Sequence, residues 1–290
     1  MTLPKTYIFL PISLTDLYLV GKTIMLFKNL RNALLLLQGY EYELHFHLNC
    51  NPLPKDVFYL KNITKKHLSL CTKNCFVTSS SISGKINAVN FGLNISRVKG
   101  YDYFLNIDAD IIYNSGAIKN IIDLSSRIDD SIICSSKCPF THNLSTNFQI
   151  LYSFAVQCSF TYKIYPPRPT GSFYLIKSES LAMLPEGCND GDYFELIGYY
   201  MSDIIVYSEY PKTYEEEVRR RIRLFQATQQ IKHERFHDNN EIMKFEYRKK
   251  APKQILENDT YIKSLNLFLD LHHQAQIIAN ELSTETFGRN

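Results

Sequence analysis

Short apolar strands alternating with amphipathic helices predict an α/β protein with a doubly wound nucleotide-binding half. Two stretches carry the prediction. Residues 7–48 read strand, helix, strand, and residues 84–110 read helix, tight turn, buried strand, then two carboxylates at the strand's exit. In an open sheet of this kind ligands bind beyond the carboxyl ends of the strands, which is where Asp108 and Asp110 fall.

In chain order, YIFLPI at 7–12 is the first strand, with Pro11 at its exit. Thr15 or Asp16 can cap the following helix. Its apolar stripe is Leu19, Leu26, Leu30, Leu34 and Leu37, and Gly39 ends it. LHFHL at 44–48 is the second strand; His45 and His47 alternate on one of its faces and read as core or surface rather than ligands. Residues 52–76 lack a clear period, and Lys61, Lys65 and Lys66 read as a solvated face. Gly84 then opens a helix whose buried face is Ile86, Val89 and Leu93, widened by Ala88, Phe91 and Ile95. Lys99–Asp102 is a turn, and residues 103–107 are short, aromatic and mostly apolar, as a strand covered on both faces should be. Gly84-Lys85 is not a P-loop, because Ser79 and Ile86 stand where that motif needs Gly and Ser/Thr.

Beyond Asp110 the pattern predicts a helix over 117–126, a strand over 132–135, an aromatic-rich stretch over 139–165 without assignment, a strand after Gly171, and a helix over 178–184. Asp190 and Asp192 open a further helix, where an acid can cap the first turn. The helix over 213–224 carries Glu215–Arg219, Glu216–Arg220 and Glu217–Arg221 at i,i+4 spacing, enough to explain a solvated face. Residues 254–282 read as a last helix suited to packing or oligomerisation.

The series Gly84, Lys85, Ala88, Asn90, Gly92, followed one helix later by Asp108-Ala109-Asp110, resembles the GT-A glycosyltransferases, above all the inverting, nucleotide-sugar-dependent family-2 group. The resemblance spans roughly residues 5–225. It implies a GT-A, Rossmann-like fold: a mixed, mainly parallel sheet with helices on both faces. Residues 1–250 would form the transferase domain (1–110 the donor half, 111–250 the acceptor half), with 251–290 as a C-terminal helical extension. The implied reaction moves a sugar from a nucleotide-diphosphate sugar, UDP-sugar favoured, to a hydroxyl acceptor on a glycan, a lipid-linked glycan or a protein.

The same resemblance implies site residues. Asp108 and Asp110 would hold Mn²⁺ or Mg²⁺, with Asp108 also toward the ribose; Lys85 would secure the nucleotide. Pro11, Ser13 and Asn51 stand at the strand exits that hold the base. The second exit departs from the family, reading Asn49-Cys50-Asn51 where an acid is usual, with Asp56 further on. Thr170 and Gly171 lie where the backbone approaches the sugar, although Gly171 also reads as a turn glycine. Asp192 matches the general base, with Asp190 as the alternate, and helix capping is the competing role. Arg221 and Arg223 resemble the arginines near the donor diphosphate, without the Gln and Trp of the processive enzymes. His233, or His237 four residues on, would add a metal ligand, against a reading as exposed polar residues.

Composition bounds the rest. A net charge of +3 on 290 residues does not argue for nucleic acid. The seven cysteines form no C-x-x-C pair and no complete zinc pattern, so the thiols read as free and the compartment as reducing and cytoplasmic. Leu17–Leu37 carries Lys22, Lys28, Arg31 and Asn32 and reads as amphipathic rather than membrane-spanning, so any membrane contact should be peripheral and salt-sensitive, at the inner face. Two other functions fit the same residues. A nucleotidyltransferase would use the same sheet and cation without a role for Asp192. A non-catalytic nucleotide-sugar or carbohydrate-binding protein would explain the altered Asn49–Asn51 exit.

Overall fold

A computed structural model describes residues 4–72, 74–81, 83–140, 146–161, 169–209 and 212–222, together with helical residues between 263 and 279. The chain divides into two compact units. One comprises residues 1–137, 169–186 and 190–207; the other comprises 138–168, 187–189 and 208–290.

The first unit is built on strands β1 (Thr6–Ile12), β2 (Tyr42–Leu48), β3 (Cys75–Ser79), β4 (Tyr103–Ile107), β5 (Ile111–Ile112), β6 (Ile132–Phe140), β7 (Phe173–Lys177) and β8 (Tyr200–Glu209). They form one sheet in the order β3-β2-β1-β4-β7-β6-β8-β5. β1 to β4 pair in parallel, while β7 runs antiparallel to both β4 and β6, so the sheet is mixed, as expected. Reversal of strand order on either side of β1 and β4 makes a crevice at their carboxyl ends.

Alternation along the strands assigns the two faces. Ile8, Leu10, Leu44, Phe46, Leu105 and Ile107 pack under helices α2 (Val20–Leu34), α3 (Pro54–Leu68) and α5 (Ala117–Ser125). Tyr7, Phe9, His45, His47 and Phe104 face the other way, where the Phe91 ring of α4 (Lys85–Val98) packs tilted against His47 at 4.6 Å. At Gly92 α4 comes so close to β1 that a Cβ would stand 2.6 Å from the Phe9 ring. The two histidines belong to the core. All four ring nitrogens have partners: Tyr7 and Thr78 for His45, Thr78 and Ser80 for His47.

Several local expectations are corrected. The helix expected as one piece from Leu17 is two: α1 (Leu14–Tyr18) breaks at Leu19 before α2 begins. Its cap is Ser13, whose Oγ accepts from the Asp16 amide at 3.1 Å, rather than Thr15 or Asp16. Pro11 lies within β1 rather than at its exit. Residues 54–68, read as irregular, form α3, started by Pro54 and by Asp56 accepting from the Leu53 amide at 2.7 Å. Among residues 178–184 there is no helix. Asn90 instead brackets Leu184, donating to its carbonyl at 2.9 Å and accepting from its amide at 2.8 Å.

In the second unit, α6 (Asn147–Thr161), a helix over 214–222 and the described helical residues between 263 and 279 share a small core of Tyr152, Val218, Leu271 and Ala275. Glu217 is buried, not solvated: its Oε1 accepts from Tyr152 at 2.6 Å and from Arg221 Nε at 2.7 Å.

Candidate active site

Four segments converge beyond β4. Gly84, at φ +94, takes a conformation that disfavours any side chain, and this turn lets α4 begin at Lys85. Lys85 Nζ donates to Asp108 Oδ2 at 2.9 Å and to the Gly171 carbonyl, and lies 3.0 Å from Asp190 Oδ2. Asp108 is fixed by its backbone, whose amide donates to the Ser172 carbonyl at 2.8 Å, and by the Asn106 side chain. Asp190 opens α7 (Asp190–Ile197) and is only 4% exposed. A Cβ on residue 171 would fall 1.6 Å from Asp190 Oδ1, so the carboxylate fills the space that the missing side chain leaves. Gly171 is thus more than a turn glycine.

The electrostatics follow from this crowding. Burial pushes the Asp108 carboxyl up to about 6; Lys85 pulls against that, and Asp110 and Asp190 add to it. Burial lowers the Lys85 ammonium, but Asp108 and Asp190 together outweigh it and hold the group above its ordinary value. The Tyr174 phenol is pushed well up by burial, with Asp190 and Asp108 beside it. Among the described residues three carboxylates therefore answer to two nearby ammoniums, Lys85 and Lys137, the latter 3.2 Å from the Ser172 hydroxyl.

Such a set fits a divalent cation. Carboxylate oxygens suit Mg²⁺ and Mn²⁺, and Mg²⁺ usually takes one or two protein carboxylates and completes its shell with water and substrate phosphate. Asp108 and the exposed Asp110, beyond one strand, are two such ligands. Among the described residues no group of three or more His, Cys, Asp and Glu is placed to hold a metal alone.

The other expected residues fall as follows. Ser13 caps α1 beyond β1. Asn51 and Cys50, at φ 61 and 67, form a left-handed turn beyond β2, and the Asn51 amide donates to Ser80. Asp56 is spent on its helix cap and on the Tyr18 hydroxyl, so it offers no displaced acid for a base. Thr170 Oγ accepts from the Ser172 amide at 3.1 Å. Asp192 is half-buried in the first turn of α7; Asp190 is the acid that reaches Lys85. Arg221, in the second unit, is held by Glu217. Arg223, His233 and His237 lie outside the described residues. Lys137, Ser172 and Tyr174 were not anticipated; only the continuation of β6 past Ser135 brings Lys137 to the site.

The mannosyltransferase of Pyrobaculum calidifontis, solved with GDP-mannose and Mn²⁺, superposes with a TM-score of 0.54 at 14% identity, over 97% of this chain and 80% of its own. Glucosyl-3-phosphoglycerate synthase of Mycobacterium tuberculosis, solved with Mn²⁺, UDP and phosphoglyceric acid, gives 0.53 at 12% identity, over 82% and 80%. The same synthase with phosphoglyceric acid alone gives 0.52 at 12%, over 82% of each chain. The fold is GT-A. No protein-family model and no curated protein matches the sequence. In this GT-A sheet the Lys85–Asp108–Gly171–Asp190 cluster occupies the crevice where an open α/β sheet binds its ligand.

Proposed function

We propose that the chain is a metal-dependent glycosyltransferase that moves a sugar from a nucleotide-diphosphate donor to a hydroxyl acceptor with inversion. The observation that carries this is the excess of carboxylate over ammonium around Lys85, Asp108 and Asp190 at the strand exits of a GT-A sheet. Asp108 and Asp110 would hold Mn²⁺ or Mg²⁺, which when bound supplies positive charge against the charge growing on the leaving diphosphate. Pro11, Ser13 and Asn51 would line the base and ribose end, and a UDP-sugar is the donor to try first.

Each residue of the site then has a task. Lys85 pairs with Asp108 and Asp190 and would offer its ammonium to a diphosphate. Gly171 leaves room for Asp190, and Asp190 fixes the start of α7 against the site. Asp192, half-buried and two residues on, is the carboxylate an acceptor hydroxyl can reach, and it takes that hydroxyl's proton during attack on the anomeric carbon. One displacement assisted by one base gives inversion. Arg221 and Arg223 are assigned to the diphosphate and Thr170 to the sugar on resemblance alone.

The test is product analysis with UDP- and GDP-sugars, with and without Mn²⁺. Release of nucleoside diphosphate with a glycosylated product supports the proposal. Release of pyrophosphate from a nucleoside triphosphate would make the chain a nucleotidyltransferase, and binding without turnover a nucleotide-sugar-binding protein.

A further inference from the structure

We propose that the outer faces of α2 and α3 form a docking surface for a bilayer that carries anionic lipid. Each helix rises about 1.5 Å per residue, so fifteen residues span about 22 Å. Both pack on one side of the sheet and turn their other sides to solvent. On α2 the solvent stripe is Ile24, Lys28, Arg31 and Leu35, at i, i+4, i+7 and i+11. On α3 it is Lys55, Phe58, Lys61 and Lys65, with Lys66 beside it and Leu70 just past the end.

The charge here is one-sided. The two helices hold seven lysines and arginines and a single acid, Asp56, which is buried in its cap. Taking these from the chain's 32 cations and 29 acids leaves 25 and 28, so the chain outside the two helices is net acidic while these thirty residues are strongly basic. Among the described residues Lys28, Arg31, Lys61, Lys65 and Lys66 make no ion pair. The surface demands an anionic partner.

The apolar residues decide which one. Phe58 is 66% exposed and Leu70 86%, and Ile24 and Leu35 are also in solvent. Cations interleaved with aromatic and aliphatic side chains on an amphipathic face suit a lipid interface: lysines meet acidic headgroups while the apolar side chains enter the acyl boundary. Five of the six exposed cations named on these stripes are lysines, whose compact ammoniums suit diffuse headgroup charge better than the bidentate reading of single phosphates by arginine.

Sedimentation of the full chain with phosphatidylcholine vesicles, with and without 30% phosphatidylserine, tests this without any donor or acceptor. Binding to the anionic vesicles is expected at 0.1 M salt and should be lost at 0.5 M. Lys61→Gln/Lys65→Gln/Lys66→Gln should weaken it by roughly fivefold per lysine. Arg127→Gln/Lys212→Gln/Arg219→Gln removes the same net charge from exposed positions elsewhere and should leave it unchanged. Phe58→Ser/Leu70→Ser should weaken binding even at low salt. All eight substituted positions are solvent-exposed, and unchanged thermal unfolding confirms that each variant is folded. Failure to bind anionic vesicles, equal losses in the two charge variants, or a stronger preference for RNA over vesicles overturns the proposal.

Discussion

Two polar clusters border α4, and they behave oppositely. Under the helix, Tyr7, His45, Thr78, His47 and Ser80 form a neutral chain in which every imidazole nitrogen is partnered. At its first turn, Lys85, Asp108 and Asp190 form a charged group whose acids, among the described residues, outnumber the nearby ammoniums once Asp110 and Lys137 are included. Both are assembled from side chains far apart in sequence. A buried polar network that satisfies itself stabilises and has nothing left to offer a ligand. A cluster with surplus charge costs stability and retains affinity for a cation. Burial alone would not separate the two; the charge balance does.

The largest effect expected on the charged side is catalytic. Asp192→Asn keeps the shape of the carboxylate but cannot take a proton, so transfer should fall by about 10²–10⁴-fold with donor affinity unchanged. Residues two apart on a helix lie about 160° apart around its axis, so Asp190 and Asp192 point away from each other. Asp190→Asn should mainly disturb cation binding. Steady-state rates and donor titrations on both variants decide it: near-normal transfer by Asp192→Asn, or the greater rate loss in Asp190→Asn, reverses the assignment.

On the neutral side the expected effect is on acid stability. Burial lowers His45 to about 3 and His47 to about 4, from 6.5. The unfolded chain therefore takes up protons first as pH falls. The contribution is whole above about pH 6.5 and is lost as pH drops toward 4. For His47 this is about 3 kcal/mol between pH 7 and pH 4. Urea unfolding of His47→Gln should show a shallower decline than the native chain over that range; parallel declines would mean the ring is protonated in the fold.

Residues 84–110 were legible almost one by one. Helix 84–98 and strand 103–107 match α4 and β4, because their buried positions are apolar and regularly spaced. Elsewhere the pattern was disguised. α3 buries Asp56, Leu60, Thr64 and Leu68, two of them polar, and exposes Phe58. β8, which was not anticipated, buries Ser202, Ile204, Val206 and Ser208 while exposing Ile205, so no contrast marks its alternation. Leu181 and Leu184 are spaced like one face of a helix, yet both are buried in a segment bracketed by Asn90. The fit of Asp190 against Gly171 is a tertiary contact, and no local pattern encodes it.

That fit yields the next prediction. Gly171→Ala places a methyl group on the Asp190 carboxylate, and the crowding should cost about 1–3 kcal/mol. If the clash is the cause, Gly171→Ala/Asp190→Ala should be no less stable than Asp190→Ala alone, a non-additivity read by thermal unfolding. Strict additivity would place the cost of Gly171→Ala in its backbone instead.

The smallest effect sharpens the contrast most. Asp110 is exposed, so Asp110→Asn should leave the unfolding midpoint in place while weakening Mn²⁺-dependent UDP or GDP binding by about tenfold, or about 1.4 kcal/mol. Lys85→Met removes the ammonium that now answers Asp108 and Asp190, so binding of Mn²⁺ alone should strengthen. Calorimetry with Mn²⁺, with and without nucleotide, reads both variants in one format. Opposite signs follow only if the cation and Lys85 compete for the same carboxylates. A loss of Mn²⁺ affinity in Lys85→Met would show that the lysine builds the site, and unchanged nucleotide binding in Asp110→Asn would remove that residue from it.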